Sequence, residues 1–218
     1  PVALLALTVV VAVSLVLPVT LVGRWLLAHL AAPVDELGIR PSLLVTTGST
    51  ISLALAAAAV TTVLALPGAW LLSRRRTAWT LVLERVTYIA SSLPGVVIAL
   101  ALITVSVRYV PGIYQSPLLL VLCYSILFIP RAMVSLRSGL AAAPPELSDA
   151  ARSLGCSPLG AFRRVVLPLI LPSALTGAAL VAIAAATELT ATLLLSPTGT
   201  STLATAFWAA SDEFDYAG

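Results

Sequence analysis

The sequence predicts an all-α protein, a polytopic bundle of transmembrane helices. Two observations carry that reading. The 218 residues are 60% hydrophobic and 10% charged with a mean hydropathy of +1.07, too little polar side chain to cover a soluble domain of this size. Residues 1–23 and 41–73 carry no charge, and each run is long enough as helix to cross about 30 Å of hydrocarbon.

In chain order, the first span occupies residues 1–23, with Arg24, Trp25 and His29 marking its emerging end as interfacial anchors do. A secretory signal peptide fits less well, because it calls for a basic start and a shorter apolar core. The chain begins at Pro1, so further sequence is expected upstream. Residues 31–40, with Pro33, Asp35 and Glu36, read as a short exposed connection. A second span is expected within Gly48 to Leu72, with Pro41 to Thr47 leading into it and a kink at Pro67-Gly68. Arg74, Arg75 and Arg76 follow, and a basic cluster beside a span belongs on the inner side.

Val86 to Val107 reads as the third span, bent near Leu93 because Pro94 removes a backbone donor and crowds the preceding turn. Such a bend either lines a pathway or serves packing alone. Residues 108–117 read as a short outer turn, and the fourth span runs from Pro117 to about Met133, ending with Arg131 and Arg137. Val165 to Thr187 is the fifth span.

Between the fourth and fifth spans lies a polar insert, residues 139–168. Its punctuation is that of two short helices and a turn. Pro144-Pro145 ends the apolar run, Glu146 and Asp149 place negative charge in the first turn of the helix that follows, and Arg152 sits in its last turn, as the dipole favours. Gly155 can close that helix in the left-handed region, and Ser157-Pro158 supplies an N-cap with proline at the first helical position. The second helix should run from Pro158 to about Leu167.

Within this insert, Asp149-Ala150-Ala151, three residues, Gly155, nine residues and Val165-Val166-Leu167-Pro168 resemble the cytoplasmic signature loop of binding-protein-dependent ABC transporter permeases. That pattern begins Glu-Ala-Ala and ends Ile-x-Leu-Pro. Aspartate replaces the glutamate and valine the isoleucine, with the spacing kept. The resemblance implies that Glu146, Asp149, Ala150, Ala151, Gly155, Val165, Leu167 and Pro168 belong to a coupling element that docks on an ATPase subunit. An ordinary amphipathic connector is the plainer alternative, and a DNA-reading helix-turn-helix lacks the basic residues to meet phosphate.

Charge tests the topology independently. The inner segments carry nine arginines (74, 75, 76, 85, 131, 137, 152, 163 and 164) and the outer ones three (24, 40 and 108), so the positive-inside rule also puts the insert in the cytoplasm.

Glu188 is the informative residue beyond the insert. A carboxylate at the bilayer centre costs on the order of 2.5 to 3.5 kcal/mol, so it should face protein or water. It is a candidate for the translocation pathway together with Pro94; a solvated helix end is the other reading of Glu188. The stretch from Glu188 to Gly199, followed by Thr202-Leu203-Ala204-Thr205, is similar to ferric-iron-type permeases, as are Leu55 to Leu72 and Leu83 to Leu100. Related permeases carry thiamine, polyamines or phosphonates. The resemblance implies a carboxyl-terminal lobe, residues 1–218, paired with a second lobe, fused or homodimeric, in a bacterial-type inner membrane. It also implies a separate ATPase holding ATP and Mg, and an extracytoplasmic binding protein. A sixth span is expected beyond Gly218, since five leave the chain outside.

No nucleic acid, resident cofactor, metal or catalytic residue is expected of this chain. Its basic residues are all arginine, so the lysine of a Walker-A loop is missing. Cys123 and Cys156 have no Cys-x-x-Cys spacing, and His29 stands alone. A membrane-embedded enzyme would want paired carboxylates or a nucleophile with its base, and a mere anchor would not need the signature loop. Small residues at helical spacing, Ala54/Ala58 and Ala178/Ala182/Ala186, allow close helix packing.

Overall fold

The computed structural model describes residues 2–30, 41–74 and 77–212, all helix or short connection with no strand among them. The connection at 31–40, Arg75, Arg76 and residues 213–218 lie outside the described residues, as do the side chains of Trp25 and His29. Two units are distinguished, residues 1–44 with 207–218, and residues 45–206.

The first unit contains α1, Val2–Leu30, which continues past the uncharged stretch through Arg24 and keeps Pro18 inside it. Its side chains from Leu4 to Val22 are exposed and almost all apolar, as those of a lipid-facing span are.

The second unit is organised around α5, Pro117–Ala141, whose buried face runs from Leu119 to Leu140. It was expected to end near Met133. It continues because the charge that marks the end is satisfied within the bundle: Arg137 pairs with Glu84 of α3, Ala78–Ser92. Beyond Pro130, Leu136 and Leu140 are still buried, so packing carries the helix past the missing donor.

α8, Leu167–Ala186, lies antiparallel to α5 along a seam of small residues. A β-carbon at Gly139 would stand 2.7 Å from Ser173 Cβ, and one at Gly177 would stand 3.0 Å from Ser135 Cβ. The Ser135 hydroxyl donates to the Ser173 carbonyl at 2.6 Å, which adds a polar stitch to the close approach. α2, Pro41–Arg74, runs parallel to α5; the Thr61 hydroxyl donates to Ser125 Oγ at 3.1 Å, and Gly68 lies against Met133. The lead-in Pro41 to Thr47 is itself helical, and the helix continues through Pro67.

The third span differs most from expectation. Instead of one bent helix over 86–107 there are two, α3 and α4, Gly95–Tyr109, separated at Leu93-Pro94. Pro94 takes an extended conformation, φ −57° and ψ 141°, and caps α4 by accepting from the Val97 amide at 2.9 Å. Proline disfavours the helical region for the residue before it, so α3 stops there. α3 starts early, within the expected inner loop, because Thr77 and Thr80 cap it reciprocally: the Thr77 amide donates to Thr80 Oγ1 at 2.9 Å and the Thr80 amide to Thr77 Oγ1 at 3.3 Å.

After a 3₁₀ turn at Pro111–Ile113, Ser116 caps α5 with Pro117 at its first position. α6 is Pro145–Ser153 and α7 is Pro158–Ala161. The second helix of the insert does not end near Leu167; a π turn at Phe162–Val166 joins α7 to α8. Pro168 has no amide for the Arg164 carbonyl, and the wider turn, with the Leu167 amide donating to Phe162, relieves that conflict. Two further helices were not expected, α9, Thr190–Leu195, and α10, Leu203–Asp212. Thr202 and Thr205 cap α10 with the same reciprocal pair as at α3, and the Leu203 amide donates to Thr50 Oγ1 at 2.9 Å.

Among the described residues four helices are long and apolar enough to cross a membrane, within Leu4–Arg24, Leu43–Arg74, Pro117–Ala141 and Pro158–Ala186, and the apolar α4 accompanies them. α4 is 15 residues, roughly 22 Å of helix, so it spans only together with part of α3.

Candidate functional site

Two regions gather the residues singled out by sequence. The first is the insert between α5 and α8. α6 carries Glu146 in its first turn and Arg152 in its last; Asp149, expected in the first turn, falls in the middle because the helix already begins at Pro145. Asp149 and Arg152, one turn apart, lie at 3.8 Å with both side chains exposed. The turn that follows closes by the two bonds of a Schellman motif: the Gly155 amide donates to the Arg152 carbonyl at 3.0 Å and the Cys156 amide to the Ala151 carbonyl at 3.1 Å. Gly155 has φ +89°, which a side chain resists, and a β-carbon there would meet nothing within 4 Å. Ser157 Oγ then accepts the Gly160 amide at 3.1 Å and opens α7.

Asp149, Ala150, Ala151 and Gly155 thus share one helix and its cap. Val165 falls in the π turn, while Leu167 and Pro168 begin α8, so the far end of the motif is part of a span. Leu154 is 86% exposed and Leu159 65%, leaving apolar side chains on a polar element without cover. Phe162 meets Trp70 of α2 edge to face, centroids 5.3 Å apart, and the Arg74 guanidinium lies 4.4 Å over the Trp70 ring. These contacts bring Arg74, Arg137, Arg152, Arg163 and Arg164 to the same end of the second unit as the insert.

The second region lies further along the same pair of helices. α8 stops at Ala186, and Glu188 stands in the break before α9. Its Oε1 accepts the Thr190 hydroxyl at 2.7 Å and the Ala191 amide at 3.2 Å, so the carboxylate caps the short helix that follows. Its carbonyl accepts the Thr192 hydroxyl, and the buried Tyr124 hydroxyl lies 2.6 Å from Thr192 Oγ1. The Thr192 proton is already given to the carbonyl, so Tyr124 donates. Glu188 lines a wide-mouthed cleft of about 490 Å³ with Tyr88, Ser91, Leu93, Gly95 and Arg131. Arg131 rests 5.0 Å from the centroid of the Phe128 ring.

The structure therefore brings together the break at Pro94 and the carboxylate at 188, which sequence reading chose for separate reasons. It does not join them to the insert. Gly95 at the cleft and the buried Tyr124–Thr192 pair have no place in the sequence reading, and Arg131 at the cleft and the Arg137 that pairs with Glu84 enter it only as the end of a span. Glu84 had a legible signal, being a carboxylate beside the expected start of a span; Gly95 and the Tyr124–Thr192 pair had none, since Gly95 meets Glu188 and Tyr124 meets Thr192 from far along the chain. No group of three metal-ligating side chains occurs among the described residues.

The family described as "Binding-protein-dependent transport system inner membrane component" matches residues 62–218. Over 160 residues the chain is 36% identical to the Fe(3+)-transport system permease protein FbpB 2 of Haemophilus influenzae, covering 73% of this chain and 32% of that protein. PhnV of Salmonella typhimurium, whose name assigns it to a 2-aminoethylphosphonate transport system, is 30% identical over 131 residues, 60% of this chain and 49% of that one. The diacetylchitobiose uptake system permease protein DasC of Streptomyces coelicolor is 43% identical over 53 residues, 24% of this chain and 19% of its own length. The chain thus spans between a fifth and a half of the relatives it matches. It belongs to this family of inner-membrane transport components.

Proposed function

We propose that this member of the family is one lobe of the permease of an ATP-driven importer. In this reading residues 139–168 form the cytoplasmic coupling loop, and the cleft at Pro94 and Glu188 borders the solute's path. The observation that carries it is the insert itself: two short helices locked at a fixed angle by the Gly155 turn, exposing Leu154 and Leu159, and continuous at its far end with α8. An ATPase subunit gripping that surface moves the insert, and the Gly139 and Gly177 seam makes α5 and α8 follow together. ATP and Mg belong to that partner, and an extracytoplasmic binding protein delivers the solute. The second lobe, fused or homodimeric, closes the other half of the path. The arginines beside the insert support its cytoplasmic placement, and the inserted helices rest in lipid.

Ferric iron is the cargo this reading favours, on the 36% identity to the Fe(3+) permease over most of the chain. A phosphonate is the second reading, supported by PhnV and by the Arg131 guanidinium at the cleft. The test is purification of the full-length protein with its associated chains, reconstitution with the binding protein, and uptake of radiolabelled ferric iron competed by 2-aminoethylphosphonate. ATP-dependent iron uptake that the phosphonate leaves untouched supports the first reading. Absence of any P-loop ATPase from the complex would sink both.

A further inference from the structure

Gly95 is the first residue of α4, in ordinary helical backbone, so its conformation does not call for glycine. Space does. A β-carbon there would stand 2.9 Å from Glu188 Oε1 and 2.9 Å from Thr190 Oγ1, closer than carbon and oxygen normally approach, so it would push both side-chain ends aside and undo their contact. By contrast, a β-carbon at Gly48 or Gly112 would meet nothing within 4 Å. The same Oε1 holds the Thr190 hydroxyl and the Ala191 amide, so one carboxylate oxygen is the point where the start of α4, the end of α8 and the start of α9 converge. Thr192 and Tyr124 tie the backbone carbonyl of the same residue to α5. Among the described residues Oε2 takes no hydrogen bond, and it is the free oxygen of a side chain that lines the cleft.

We propose that Gly95 and Glu188 form a joint through which the two broken spans of this lobe, α3–α4 and α8–α9, move as one unit at the rim of the cleft. Gly95 is the positioning residue: its missing side chain lets α4 rest against the carboxylate. Glu188 has two duties, Oε1 holding the joint and Oε2 facing the solute. A shift of α8 is then passed to α4 directly, so the cleft changes width when the pair moves. The joint's part in transport rests on the permease reading above; the joint as a contact does not.

The experiment uses the full-length protein with its partners in lipid nanodiscs and proteoliposomes. Gly95→Ala should lower the maximal transport rate at least tenfold with insertion and ATPase association intact. Alanine favours a helix more than glycine does, so the loss is not a backbone effect. Glu188→Asp withdraws the carboxylate by one carbon–carbon bond and releases Thr190 with it. In combination it should recover at least threefold of what Gly95→Ala loses. Hydrogen exchange over Thr190–Leu195 should quicken about tenfold in Gly95→Ala. Transport within twofold of the unaltered protein in Gly95→Ala, or a double variant no better than the single one, overturns the joint's part in transport. Unchanged exchange overturns the contact itself. If the unaltered complex carries no solute, the permease reading falls while exchange still decides the joint.

Discussion

The insert at 145–166 and the break at Glu188 are both interruptions between helices, carried by the same α5 and α8, yet they are built in opposite ways. The insert is made by near neighbours: every hydrogen bond of the Gly155 turn and the Ser157 cap spans five residues or fewer. The break adds strangers to its neighbours: Glu188 bonds Thr190, Ala191 and Thr192 within four residues, but Tyr124 and Thr192 lie 68 residues apart, and Gly95 meets a carboxylate from another helix pair. A locally closed element keeps its shape when pushed, as a lever must. A site assembled from several helices changes shape when any of them shifts, as a gate must. That contrast can be tested region by region.

The largest effect is expected at the seam that joins the two. Gly139→Val drives a side chain into Ser173 and towards the Ile170 backbone, 3.4 Å away, and overpacking of this kind costs about 1–3 kcal/mol. The full-length protein should show a lowered thermal midpoint in detergent and lose coupling and solute affinity together. Loss of one without the other would separate lever from gate and break the comparison. Next comes Gly155→Val. A β-carbon there meets nothing within 4 Å, so the left-handed backbone is what opposes the valine, at roughly 1–2 kcal/mol. Insertion and solute affinity should be normal, while ATP hydrolysis proceeds without transport; full coupling would mean that the turn's angle is unimportant.

Glu188→Gln probes the other region. The amide oxygen still accepts from Thr190 and the Ala191 amide, so the fold persists while the charge at the cleft goes. Uptake should fall severalfold, through the apparent solute affinity, with ATPase association unchanged. Equal uptake at all solute concentrations would return Glu188 to a purely structural role. The smallest effect belongs to Asp149→Ala, which removes from the middle of α6 the exposed partner of Arg152, about 0.2–0.5 kcal/mol. Transport should drop less than twofold, and a larger loss would mean that Asp149 touches the ATPase directly.

The sequence by itself determined whatever is decided within a few residues or by composition. Long uncharged runs made the spans, Pro144-Pro145, Gly155 and Ser157-Pro158 set the two short helices of the insert, and a lone carboxylate marked Glu188. Tertiary structure decided the rest. α5 outran its expected end because Arg137 found Glu84, a partner 53 residues away that no local pattern announces. Pro94 split a span instead of bending it, since α4 could begin afresh against Glu188 and Thr190. The π turn at Phe162–Val166 kept α7 and α8 continuous because Trp70 and the seam hold both sides of it. In each case a helix end that looks obligatory in one dimension is a balance between a missing local bond and burial against another helix, and only the packed bundle supplies the second side of that balance.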